Sequence, residues 1–82
     1  MNVELKPTAI KDLRDLPKAD AQRVAARLKS LEQGLSGDVK RLTNFTPEYR
    51  LRVGSYRVLF EIEDSKVVVY RVVHRQHAYS KR

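Results

Sequence analysis

Arginines that alternate with apolar residues around a short turn are the part of this sequence best suited to chemistry. Residues 49–60 read YRLRVGSYRVLF, and the period of two on either side of Gly-Ser predicts a β-hairpin with a two-residue turn. Such a hairpin sets Arg52 opposite Arg57 and leaves Arg50 on the same face. Because like charges opposed across a strand pair are destabilising, the pattern predicts a surface arranged for a polyanion, with phosphate the first candidate.

The basic charge is concentrated in the second half of the chain. Residues 1–38 contain seven Lys or Arg and six Asp or Glu, whereas residues 39–82 contain ten and four, so six of the seven net positive charges lie in the second half. A basic excess confined to one half indicates an electrostatic footprint for nucleic acid or another acidic partner. A solvated surface of uneven charge is the alternative interpretation.

The spacing of apolar and turn residues predicts a single α+β domain over residues 1–82. The expected order is β-α-α-β-β-β: a mostly antiparallel four-stranded sheet covered on one face by a helical hairpin. The elements are a strand over 2–6, a helix opened by Pro7 with Thr8 as N-cap, a second helix from Pro17 to about Gly34, a connection over 36–47 with Lys40 and Arg41 exposed, the hairpin over 49–60, and a strand over 67–73.

The register of the last strand is open between two possibilities. A two-residue loop at 64–65 would place Arg71 on the apolar face of the sheet, whereas a three-residue loop over 63–65 would place it beside Arg57. We favour the three-residue loop, because burying an unpaired arginine costs more free energy than crowding arginines at a solvated surface.

Several classes of protein are not expected from this composition. The absence of cysteine removes disulfides and thiolate metal sites, and the two histidines lack acidic residues at a ligand spacing, so we expect neither metal nor cofactor. No apolar run is long enough for a membrane span and no signal-peptide core is present, so we expect a cytoplasmic protein without membrane contact.

The hairpin and the C-terminal tail together resemble one protein family. The string from Tyr49 to Ile62, a valine-rich strand, then His74-Arg75 and Tyr79, is similar to the RelE/ParE toxin superfamily over the whole chain, and more narrowly to its RelE branch. The resemblance implies an mRNA interferase that inhibits translation by cutting the message in the ribosomal A site. It also implies a cognate antitoxin, and the net charge of +6 on residues 39–82 predicts that this partner is acidic. We expect the toxin to be monomeric alone and hetero-oligomeric with the antitoxin.

The resemblance also implies where the functional residues lie. The family's basic positions and C-terminal tyrosine correspond to Arg50, Arg52, Arg57, Arg75 and Tyr79, although well-studied RelE toxins carry lysines in place of the first two. The expected catalytic residues are Arg57, Arg75, Tyr79 and His77. The expected RNA-binding residues are Lys40, Arg41, Arg50, Arg52, Arg71, Lys81 and Arg82.

Cleavage of RNA by its own 2′-hydroxyl needs a base, cationic donors for the phosphorane, and an acid for the leaving 5′-oxygen. Arginine is a good phosphate donor, and we assign Arg57 as the clamp and Arg75 as donor to the leaving oxygen. Because a guanidinium keeps its proton near neutral pH, the base would be Tyr79, then His77, then His74. Cleavage assisted by positioning alone also remains open.

Two other functions compete with the nuclease. A ParE-like toxin would bind a protein target such as DNA gyrase without nuclease chemistry, and a small RNA-binding accessory protein would not be toxic. Two of the candidate residues also have a structural interpretation. Tyr79, as a terminal aromatic residue, could pack the tail onto the sheet. His74 is expected to be structural because it follows the last strand on its apolar face.

Overall fold

The computed structural model describes residues 2–35 and 38–77, which form a sheet with two helices on one face. The elements are β1 (Asn2–Leu5), α1 (Pro7–Asp15), α2 (Lys18–Ser30) with a 3-10 turn (Leu31–Gln33), β2 (Val39–Arg41), β3 (Tyr49–Val53), β4 (Tyr56–Glu63) and β5 (Lys66–His74). The strand order is β1-β5-β4-β3-β2, with β1 parallel to β5 and the other pairs antiparallel. The predicted α+β class and the mostly antiparallel sheet are confirmed.

The described part of the sheet has five strands rather than the predicted four. The additional strand is β2, which lies in the segment predicted as a connection and pairs with β3 so that Lys40 is opposite Arg50. Three residues are too few to display an alternating pattern, and this strand takes its conformation from pairing with β3.

The first hairpin has the predicted register. Tyr49 pairs with Phe60, Arg52 with Arg57, and Val53 with Tyr56. Gly54 has a φ of 58°, while Ser55 keeps a negative φ. A positive φ at the first turn position alone is the requirement of a type II′ turn and explains why glycine stands there.

The second hairpin differs from the prediction, and the three-residue loop is wrong. Glu63 pairs with Lys66 across a two-residue turn, in which Asp64 and Ser65 both have positive φ (52° and 63°), as in a type I′ turn. A β-bulge then shifts the register between Leu59 and Phe60.

A regular two-residue hairpin would place Arg71 on the helix-covered face of the sheet. The bulge places it on the opposite face instead. Phe60 pairs with Val69 but Leu59 pairs with Arg71, so Tyr70 is the extra residue. Arg71 therefore lies opposite Leu59 rather than beside Arg57, whose partner is Val73.

Both helices bury their apolar stripes against the sheet. The core comprises helical and strand residues that are nearly inaccessible to solvent: Ala9, Val24, Leu28, Leu31, Leu51, Val53, Val58, Phe60, Val67, Val69 and Val72. The predicted N-cap is wrong, because Lys6 occupies the N-cap of α1 and the Thr8 hydroxyl donates to the Tyr70 carbonyl instead (2.8 Å). No helix in the described ranges is long and apolar enough to cross a membrane.

Asp12 fixes α1 to the edge of β5. Strand β1 ends at Leu5, opposite Val69, which leaves the next part of that edge without a strand partner. The Asp12 carboxylate accepts there from the backbone N–H of Val72 (2.9 Å) and from Nε and Nη2 of Arg71 (2.7 and 3.2 Å). One side chain thus satisfies a main-chain donor and a guanidinium together.

Candidate functional site

The face of the sheet turned away from the helices carries a group of cations that we call the arginine face. Strand register places Arg52 opposite Arg57 and Arg50 opposite Lys40, and puts Arg71 on the same side. The predicted arrangement of Arg50, Arg52 and Arg57 on one shared face is confirmed by this register. The arginine face is defined by Lys40, Arg50, Arg52, Arg57 and Arg71.

Arg57 is the most enclosed member of the arginine face. The residue is only 9% exposed, and its Nη1 donates to the carbonyls of Gly54 and Tyr56, both at 3.0 Å. No acidic side chain of residues 2–35 or 38–77 forms an ion pair with it. The Gly-Ser turn therefore holds this guanidinium by its carbonyls, and the remaining N–H donors are available to an anion.

Arg50 and Arg52 share the carboxylate of Asp38, which no local sequence pattern marks as part of the site. Asp38 Oδ2 accepts from Arg52 Nε, and Asp38 Oδ1 lies 3.9 Å from Arg50 Nη2. The backbone N–H of Arg52 donates to the Asp38 carbonyl at 3.0 Å, which extends the pairing of β2 with β3. The expected repulsion between Arg52 and Arg57 is thus relieved on both sides, by Asp38 and by the turn carbonyls.

Two of the predicted RNA-binding arginines carry their own acidic partners. The hydrogen bond to Asp12 raises the pKa of Arg71, and the hydrogen bond to Glu48 raises the pKa of Arg41, so both guanidinium groups are held charged and engaged. Arg41 pairs with Tyr49, which packs against the core, so its side chain leaves β2 on the side opposite to the arginine face. Lys40 remains exposed beside Arg50.

The C-terminal segment reaches the same end of the sheet as Arg57. The backbone N–H of Arg75 donates to the Ser55 carbonyl at 2.7 Å, and Arg75 is exposed. Arg75 therefore lies beside the turn that Arg57 contacts. His77 is exposed and its N–H donates to the His74 carbonyl at 2.8 Å. Three of the predicted site residues, Tyr79, Lys81 and Arg82, lie outside the described residues.

His74 lies on the helix-covered side and packs against an aromatic ring, as expected of a structural residue. Its ring meets Tyr56 edge-on with centroids 5.7 Å apart, and its Nδ1 accepts from the Gln76 N–H at 3.2 Å. Two effects raise the pKa of Tyr56. Burial is the larger, and the hydrogen bond that its phenol donates to Asp20 (3.1 Å) is the smaller. The phenol of Tyr56 therefore stays protonated and is a structural donor.

The chemistry open to this surface follows from its residue types. The described ranges hold no group of three His, Asp or Glu residues placed to bind a metal ion. Arginines can neutralise and orient phosphate oxygens in bidentate geometry but do not transfer protons near neutral pH. His77 is exposed at this end of the sheet, and imidazole is the side-chain type most often used in general acid–base catalysis.

Comparisons with known proteins give the family. A family model described as the ParE toxin of the type II toxin–antitoxin system parDE matches residues 3–79. Toxin RelE3 of Methanocaldococcus jannaschii is 29% identical over 84 aligned positions, which cover 96% of each chain.

Solved structures give the same result. A chain of the RelB–RelE antitoxin–toxin complex from Methanococcus jannaschii superposes with a TM-score of 0.77 at 26% identity, covering 93% of this chain and 94% of that one. A chain of the RelBE2 complex from Mycobacterium tuberculosis has the same TM-score of 0.77 at 30% identity, covering 90% of this chain and 96% of that one. The chain therefore belongs to the ParE toxin family within the RelE/ParE superfamily and is a RelE-like toxin of a type II toxin–antitoxin system.

Proposed function

We propose that this toxin is an endoribonuclease that inhibits translation by cleaving mRNA in the ribosomal A site. The observation that supports this most is the arginine face, on which Arg57 is enclosed, fixed by two carbonyls and without an acidic partner among the described residues. A guanidinium held in that way is preorganised for charge that develops on a phosphate.

The proposed reaction uses the RNA's own 2′-hydroxyl. Its oxygen forms a bond to the adjacent phosphorus while the bond from phosphorus to the 5′-oxygen breaks, and the 2′-proton passes to a base. Arg57 stabilises the phosphorane, and Arg75, beside the same turn, donates a hydrogen bond to the leaving 5′-oxygen, which takes its proton from water or from a protonated side chain other than an arginine. Tyr79 is the first choice for the base, and His77 is the second.

The partner that we propose is a cognate acidic antitoxin. The solved relatives are toxins in complex with their antitoxins. A net charge of +7, concentrated in the half of the chain that forms the arginine face, suits an acidic segment that folds on contact. We expect a monomer without antitoxin, a hetero-oligomer with it, and action in the cytoplasm, where ribosomes are.

A ParE-like mode of action is the second candidate, and the description of the matching family model favours it. Such a toxin would inhibit a protein target such as DNA gyrase and would leave messages intact.

Inducible expression with and without the antitoxin separates the two candidates. We expect growth arrest in its absence, with new message ends at defined codon positions, and rescue when the antitoxin is produced. Arrest with DNA damage and intact messages would instead establish the ParE-like mode.

A further inference from the structure

The carboxylate of Asp38 is the acidic group that directly contacts the arginine face at β3. It contacts Arg52 through Nε and Arg50 through Nη2, whereas Arg57 has no such partner among the described residues. The Nε of Arg50 is buried and makes no hydrogen bond to any described group. Two guanidinium groups thus share one anion and retain unused donors.

The burial of the three side chains differs in a way that decides which of them can move. The Arg50 side chain is 13% exposed, whereas the side chains of Asp38 and Arg52 are 40% and 54% exposed. Arg50 is held within the sheet, and a guanidinium enclosed in this way is unfavourable without an anion beside it. Asp38 directly precedes the three-residue edge strand β2, and its carboxylate is therefore held by the solvent-accessible edge of the sheet rather than within it.

We propose that Asp38 occupies a phosphate subsite of the RNA on Arg50 and Arg52 and is displaced when RNA binds. A carboxylate and a phosphodiester present oxygens of similar spacing to a guanidinium, so one can replace the other. Asp38 keeps the two arginines ordered and compensated in the free toxin, and its charge opposes the incoming phosphate. The identity of the ligand as RNA rests on the proposed function.

The replacement Asp38→Asn tests this directly, because it removes the charge and retains the shape. The bond from the Arg52 N–H to the carbonyl of residue 38 remains, since it involves only main chain. The matched control is Asp15→Asn, which removes the same charge from an exposed pair with Lys11 on α1.

The measurement is fluorescence anisotropy of the purified toxin with a short single-stranded 2′-O-methyl RNA, which cannot be cleaved, at several salt concentrations. We expect Asp38→Asn to bind about threefold to tenfold more tightly than the control variant, from the loss of a like charge beside each phosphate. The slope of log Kd against log salt should steepen by roughly 0.7 for each additional phosphate engaged. Adding Arg52→Gln to Asp38→Asn should abolish the gain.

Binding by Asp38→Asn that equals or falls below that of Asp15→Asn, or that is undetectable in both, would overturn the inference. A gain for an acidic peptide but not for RNA would also overturn it, because the subsite would then belong to a protein partner. In the wild type, the NMR signal of Arg52 Nε–H should shift as the RNA is titrated. An unmoved signal would contradict displacement even if the variant proved unstable.

This outcome is separable from that of the proposed function. If Asp38→Asn binds RNA more tightly and with a steeper salt dependence while the wild type leaves messages uncut, the phosphate subsite is supported and the nuclease function is contradicted. Cleaved messages with no gain for Asp38→Asn would retain the nuclease and remove the subsite.

Discussion

The two hairpins that share β4 place arginines on the same face of the sheet and leave them in different states. In the β3–β4 hairpin, Arg57 is held by the carbonyls of its own turn and has no acidic partner among the described residues. In the β4–β5 hairpin, a bulge places Arg71 on the same side of the sheet, and Asp12 of α1 binds its guanidinium at the edge of β5 through two hydrogen bonds. The role of an arginine on this face thus depends less on its position than on the groups that already accept hydrogen bonds from it.

The largest effect should come from replacing the arginine without an acidic partner. We expect Arg57→Gln to abolish growth arrest on induction, because the group that stabilises the phosphorane is lost, whereas Arg71→Gln should still arrest growth. Each lost Arg57 bond to a carbonyl contributes about 1 kcal/mol, so a melting curve must show that Arg57→Gln is still folded under the assay conditions. Full arrest by Arg57→Gln would remove it from the site.

The second-largest expected effect is on the free energy of unfolding and concerns the β4–β5 hairpin. Asp12→Ala leaves the Val72 N–H without its partner, and an unsatisfied donor of this kind costs about 1–3 kcal/mol. We expect the melting temperature to fall by roughly 4–8 °C for each kcal/mol in a domain of this size. The matched variant Arg71→Gln keeps the bond to Val72 and should lose less than about 1 kcal/mol. Equal losses would mean that the ion pair, rather than the main-chain bond, fixes α1.

The two turns respond in opposite directions to one substitution. Ser65 has a φ of 63°, so Ser65→Gly relieves strain and should raise the free energy of unfolding by about 0.5–1 kcal/mol. Ser55 has a negative φ, so Ser55→Gly adds only freedom to the unfolded chain and should lower that free energy by a few tenths to about 1 kcal/mol. Urea unfolding of both variants measures the difference, and changes of the same sign would contradict the assigned turn types.

The smallest expected effect is a loss of stability at alkaline pH. It involves one tyrosine of each hairpin, Tyr56 and Tyr70. Burial and the hydrogen bond to Asp20 raise the pKa of Tyr56, and the hydrogen bond to Glu63 followed by burial raises that of Tyr70. Between the ordinary value of about 10 and the raised values, the folded chain binds more protons than the unfolded chain, so stability falls as pH rises through that window. Ultraviolet titration of phenolate should show two late-titrating groups, one of them absent from Tyr56→Phe and the other from Tyr70→Phe.

The difference between the hairpins also explains what could be predicted from the sequence. The first follows from local signals, since Gly54 sets the turn and the alternation sets the register of Arg52 against Arg57. The second depends on a bulge at Tyr70, which forms where β1 ends and α1 docks, and no residue near it marks that event. The pairing of Asp12 with Arg71 spans 59 positions and is equally invisible to a local pattern.

In the candidate site, too, some residues follow from a local sequence pattern and one does not. The shared face of Arg50, Arg52 and Arg57 follows from a period of two, whereas Asp38 could be placed beside them only with knowledge of β2. That strand is too short to show a period, so the carboxylate that contacts Arg50 and Arg52 went unpredicted.

Single-turnover cleavage of a message on programmed ribosomes, using purified toxin, tests the central claim most directly. With an empty A site, we expect the wild type and Arg71→Gln to cut at similar rates and Arg57→Gln to be at least about 100-fold slower, since a preorganised donor to developing charge contributes on that scale. Equal rates for Arg57→Gln and the wild type, or intact message with every variant, would contradict the account.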